Sequence, residues 1–216
     1  MIFQPIMQSV VCVGKFNPSI LTPDFLSTYC LFKPTDEALG KNTPVISELS
    51  FGKIRFLLEL DKFQISQNDI KEYNDCSIMD VMSQYIMVLK YTPIYTIGIN
   101  LHSELHEVNH SKIVKSIDEH SKASKSFKIQ LDSYRSEFMQ IGGKELQLNK
   151  CELSYQFDDA IKHTLTIDVE EHHFRITSNF AVGNLNNARG RIDLLFARYG
   201  GLVENHEDIV KKIGAR

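Results

Sequence analysis

Residues 48–67 read ELSFGKIRFLLELDKFQISQ, and apolar side chains alternate with polar ones along nearly the whole segment. Only Gly52 and the pair Asp61-Lys62 interrupt the rhythm. Successive side chains of a strand point to opposite faces. A period of two with turn residues at the breaks therefore predicts consecutive strands of a half-buried antiparallel sheet.

On the N-terminal side, residues 8–13 (QSVVCV) are β-branched and predict a first strand. Thr22-Pro23-Asp24 then opens a helix: Thr22 suits the N-cap, Pro23 the first helical position and Asp24 the positive end of the dipole. Leu21 and Leu26 have the spacing of a hydrophobic staple. The helix is expected to end near Phe32, with a polar loop running to Pro44.

On the C-terminal side, Ser77 and Asp80 form the start of a second helix. Its stripe is Ile78, Met82, Tyr85, Ile86 and Leu89, and Pro93 ends it. Residues 94–101 (IYTIGINL), apolar on both faces, read as a central strand, while the lysine- and serine-rich residues 111–128 read as a linker or mobile segment. Gly142-Gly143 between 133–141 and 144–157 is a two-residue hairpin signal, and 163–169 and 172–178 add two strands. Ala188, Ile192, Leu195, Phe196 and Tyr199 form a helical stripe expected to stop at Gly200-Gly201, with a last helix from Asn205. These elements predict one α+β domain over 1–216: a long, mostly antiparallel curved sheet covered by helices, with a C-terminal helical segment.

Composition excludes several classes. The chain is 43% hydrophobic and 24% charged, with a net charge of −3 and a pI near 6.2, so no global field favours nucleic acid. No apolar run approaches the roughly 20 residues a bilayer span needs, and residues 1–15 lack a basic start before their apolar stretch. Cys12, Cys30, Cys76 and Cys151 show no CxxC spacing and read as reduced, buried thiols of a cytoplasmic protein. P-loop, dinucleotide-binding and nucleophile-elbow glycine motifs are missing, and no cofactor is implied.

Three groups of residues could carry function. His102, His106 and His110 lie four apart, so a continuous helix would place the imidazoles on one face, as in helical zinc sites; HExxH is absent, and the plain reading is a solvated turn. Asp168, Glu170 and His172 would share one face of a strand and could hold a divalent ion, with His173 turned inward beside Val169; the plain reading is an exposed strand face or a polar turn between two strands. Met79, Met82 and Met87 put half of the six methionines on one helix, as adaptable protein-binding faces do, although core packing accounts for two of them. No metal is assigned, and the methionines are the candidate binding residues.

Two segments resemble small uncharacterised bacterial or phage proteins. They are FNPSILTPDFL at residues 16–26, of the form FNPxIxTPxxL, and TPIYTIGIN at residues 92–100. Some of those proteins are similar to the SecB-like chaperone group, whose sheet is curved and antiparallel. The resemblance covers about a tenth of the chain and implies a binding role, with a phage-defence setting as its associated context. The expected function is a non-catalytic subunit that binds a protein partner or associates with itself. The alternative is a metal-dependent hydrolase or nuclease using one of the His/acidic clusters.

Overall fold

The computed structural model describes residues 2–33, 37–73, 77–107, 126–131, 138–141, 144–170, 173–183 and 187–214. For 126–131, 138–141 and 144–149 it describes the backbone alone. The architecture is α+β, with a curved antiparallel sheet. The strands are β1 (Ile2–Gly14), β2 (Leu39–Asn42), β3 (Ile46–Phe51), β4 (Ile54–Glu59), β5 (Lys62–Asn68), β6 (Ile94–His106), β7 (Ser126–Leu131), β8 (Phe138–Ile141), β9 (Lys144–Gln156), β10 (Ile161–Val169) and β11 (His173–Val182). The helices are α1 (Pro23–Tyr29), α2 (Ser77–Val88) and α3 (Ala188–Gly214). No helix among the described residues is long and apolar enough to cross a membrane.

The strand order is β2-β3-β4-β5-β1-β6-β11-β10-β9-β7, with β8 beside the start of β9. The quoted segment is the β3–β4–β5 meander. Its apolar phase, Leu49, Phe51, Phe56, Leu58, Phe63 and Ile65, is buried at 6% exposure or less. Gly52 takes φ 55 in the two-residue turn between Phe51 and Ile54, a conformation that glycine adopts without strain. At the far end of β1, a Cβ on Gly14 would lie 2.3 Å from the Pro93 carbonyl oxygen, so only glycine allows that approach.

Local signals hold at the first helix: Thr22 Oγ1 accepts from the Phe25 amide at 3.1 Å, and Leu21 and Leu26 are fully buried. The Gly142-Gly143 turn lies outside the described residues, as does most of 111–128, but β8 and β9 pair with Ile141 opposite Lys144. The strand expected at 8–13 runs from 2 to 14, and the one expected at 94–101 runs to His106.

The C-terminal region differs most from expectation. α3 passes through Gly200-Gly201 without stopping. Ile192, Leu195, Tyr199, Leu202, His206, Val210 and Ile213 continue one buried stripe at steps of three and four. Each mid-helix glycine costs roughly 1 kcal/mol relative to alanine, whereas burying one aliphatic side chain contributes about 1.5–3 kcal/mol, so the stripe prevails over the stop signal.

The helices pack on one face of the sheet and close two cores. The larger joins β1, β4, β5 and β6 to α1, α2 and the first part of α3. The smaller joins Leu105, Cys151, Leu153, Leu165, Ile167, Phe174 and Ile176 to Val210 and Ile213 of α3.

A Cβ on Gly200 would meet nothing within 4 Å, and one on Gly201 only the Phe157 ring at 4.0 Å. Gly200→Ala with Gly201→Ala is therefore expected to raise the unfolding free energy by about 1–2 kcal/mol, read from the urea midpoint at unchanged slope. A lowered midpoint would mean the pair is not in regular helix.

Candidate functional site

The two histidine/acidic segments, separate in sequence, meet on the sheet face that carries no helix among the described residues. β6 is strand, not helix, through His106, so His102, Glu104 and His106 share that face at a period of two. His110 and His172 lie outside the described residues. β10 ends at Val169, so Asp168 lies on the strand and Glu170 beyond its end. His173 does not turn inward: it lies opposite His106, the rings stacked with centroids 5.2 Å apart.

Cross-strand pairing then builds a charged patch. Glu104 sits 3.2 Å from His106 Nε2, 3.5 Å from His173 Nε2 and 3.5 Å from the Arg175 guanidinium. Arg175 also reaches Glu170 at 3.5 Å, and Asp168 pairs with Lys150 at 3.1 Å. Half-exposed pairs of this kind contribute little each, about 0–1 kcal/mol. The Arg175 guanidinium already pairs with the carboxylate that a cation would need. Among the described residues no group of three or more His, Cys, Asp or Glu is placed to hold a metal ion. His102 stands one row away, its Nδ1 2.9 Å from Thr177 Oγ1, and burial pushes it down to about 4.

A second constellation lies on the opposite face, between sheet and α3. Ser103, Ser178 and His206 are fully buried, and His163 and Tyr73 are 2% exposed. His206 Nε2 lies 2.8 Å from Ser103 Oγ, and its Nδ1 lies 2.8 Å from Ser178 Oγ. Ser178 Oγ is 3.0 Å from His163 Nε2, and the Tyr73 hydroxyl is 2.7 Å from Ser103 Oγ.

One observation orders the protons. Tyr73 donates to the His102 carbonyl at 2.5 Å, so its only hydrogen is used. Ser103 must then donate to Tyr73, or their 2.7 Å contact would hold no proton. His206 Nε2–H in turn donates to Ser103, Ser178 donates to His206 Nδ1, and His163 Nε2–H donates to Ser178. This chain leaves no oxygen pair without a proton.

A nucleophilic serine must give its proton to the imidazole. Here Ser103 accepts from His206, and no solvent reaches either group. The network is a buried polar seam, and it carries no hydrolytic chemistry in this state. Its sequence trace is a polar residue in an otherwise apolar phase: Ser103 between Leu101 and Leu105, Ser178 between Ile176 and Phe180, His206 between Leu202 and Val210. Each looks ordinary alone, and only the register aligns them.

The methionines divide. Met79 and Met82, read from the sequence as binding residues, are 1% and 0% exposed, with Met82 Sδ 3.3 Å from the Cys12 thiol. The second apolar side of α2 is covered within the chain, by α1 and α3. Met87 is 44% exposed. With Val88, Tyr91 and Tyr95, exposed by 40%, 88% and 50%, it forms an apolar patch at the α2–β6 connection. Val13 and Leu60 are brought to the same end of the sheet by the bonds from Lys15 N to Pro93 O and from Phe16 N to Leu60 O. A groove of about 510 Å3 lies elsewhere, between α2 and the end of α1, lined by Phe32, Ile54, Ile65, Ile78 and Val81 among others.

The thiols of Cys12, Cys30 and Cys151 are free and buried, and burial raises all three, Cys30 to about 11 and Cys151 to about 12, which keeps them protonated and inert. A scan of the chain against protein-family models finds no match, and a search of curated proteins finds none.

Burial lowers His163 to about 4 and His206 to about 3 from the ordinary 6.5. Both are neutral when folded, and the unfolded chain takes up the protons that the folded one refuses. Their contribution to stability is complete above about pH 6.5 and is lost as pH falls towards 4 and 3. The expected loss between about pH 7.5 and pH 5 is on the order of 2 kcal/mol per histidine, and His206→Asn is expected to remove one such share from the profile. Urea titrations across that range measure it; a pH dependence unaltered in His206→Asn would mean that His206 is not buried in the neutral form.

Proposed function

We propose that the protein is a non-catalytic binding subunit that engages a protein partner or a second copy of itself through the apolar patch of Met87, Val88, Tyr91 and Tyr95. The supporting observation is the patch. Within residues 87–95 it puts two tyrosines, a methionine and a valine into solvent, and aromatic and methionine side chains are the kinds enriched where protein interfaces form. Lys90 stands 5.0 Å over the Tyr91 ring and gives the patch a cationic rim. The function belongs to the cytoplasm of a bacterial or phage-infected cell, and a chaperone-like or antiviral-defence complex is the setting the sequence resemblance suggests.

Tyr91→Glu combined with Met87→Glu should leave the thermal midpoint within about 2 °C, because both side chains are exposed. The same pair should abolish self-association in sedimentation at tens of micromolar, or retention of the partner that co-purifies from the native host. A monomeric wild-type chain whose co-purifying proteins are unchanged by the double substitution would overturn this reading.

A further inference from the structure

The C-terminal helix spans two cores with a weak joint between them. Ile192, Leu195, Tyr199 and Leu202 pack into the larger core. Past the glycine pair and Leu202, Val210 and Ile213 close the smaller one, with Ile209 half-buried beside them. Among the described residues no other helix contributes to that smaller core. Beneath it lie Leu105, Leu153, Leu165, Ile167, Phe174 and Ile176, each at 1% exposure or less.

Three features make this end of α3 the easiest part of the layer to lift. Gly200 and Gly201 stand where open space would admit alanine, so packing does not demand them, and they leave the helix least able to propagate at that point. Five residues beyond, the contact with the sheet is polar, His206 to Ser103 and Ser178. Water replaces hydrogen bonds of that kind when they open, so they resist separation less than apolar packing does. Only Val210 and Ile213 are fully buried apolar anchors past the seam.

We infer that residues 200–214 form a hinged cover, pivoting at Gly200-Gly201, which withdraws Leu202 from the edge of the larger core and opens over the smaller one while the sheet and α3 residues 188–199 stay folded. Opening of this cover is independent of any partner bound at the α2–β6 connection.

Native-state hydrogen exchange with increasing urea tests it on the intact chain. Amides of 202–214 are expected to exchange at least about tenfold faster than those of 188–199, with a shallower dependence on urea, as local openings show. Cys151 and Cys12 are both fully buried, in the smaller and larger core respectively. Mass-spectrometric labelling with a maleimide should find Cys151 the faster by a similar factor of about ten. Gly200→Ala with Gly201→Ala should slow both the exchange of 202–214 and the labelling of Cys151 by about tenfold. Exchange of all of α3 as one unit with a single urea slope, equal labelling of the two thiols, or Cys151 labelling unaffected by the alanine pair would each overturn the hinge.

Discussion

The pairing of β1 with β5 on one side and β6 on the other is the constraint on which the rest of the molecule depends. β1 is the centre of the sheet, although it comes first in the chain. The β2–β5 meander runs outward from one edge of it, and β6, β11, β10 and β9 from the other. Both ladders join residues far apart in sequence, so the closure entropy of long loops must be overcome before either half is anchored. Val10 and Cys12, fully buried on β1, sit where α2 and α3 converge, and the same strand therefore organises the sheet and the helical layer.

The helical layer gives the sheet two unequal faces. One is largely apolar, and its buried polar groups include Gln8, Ser47, Arg191 and the seam of Ser103, Ser178, His163, His206 and Tyr73. The five polar side chains of the seam are tolerable there because each hydrogen has an acceptor, and a half-satisfied network would cost more than an apolar one. The seam also divides the cores, since its members occupy the apolar phase between Leu101 and Leu105 and between Ile176 and Phe180. The other face is polar, with Asn100 bridging Ser9 at 3.0 Å and Asn179 at 2.5 Å, and its charged groups neutralise one another in cross-strand pairs. Open antiparallel sheets commonly meet water in this way.

These properties bear on function through what each site can reach. The histidine and serine groups with catalytic chemistry are sealed and wrongly polarised, and the accessible histidines share their carboxylate with Arg175. Exposed apolar groups stand at the α2–β6 connection (Met87, Val88, Tyr91 and Tyr95) and also in residues 29–45 (Tyr29, Leu31, Leu39 and Val45). The proposed binding role rests on that distribution of chemistry, and the proposed hinge on the seam and the glycine pair in α3.

Residue pattern alone determined the β3–β4–β5 meander, the Thr22 cap, the apolar phase of α2 and the α+β class. Each of these rests on local backbone preference or on a period that one segment displays by itself. Tertiary structure decided what local pattern could not. His102 and His106 read as a solvated turn or helix start, and β6 placed them on one strand face, because pairing with β1 and β11 extended it to residue 106. Met79 and Met87 read as lying off the stripe of α2, and α1 and α3 buried the side that carries Met79 while Met87 stayed exposed. Gly200-Gly201 carried a genuine stop signal, yet the apolar stripe of α3 outweighed it. A local preference is worth about 1 kcal/mol, and a helix packed along a sheet gains several times that amount from contacts whose partners lie a hundred residues away.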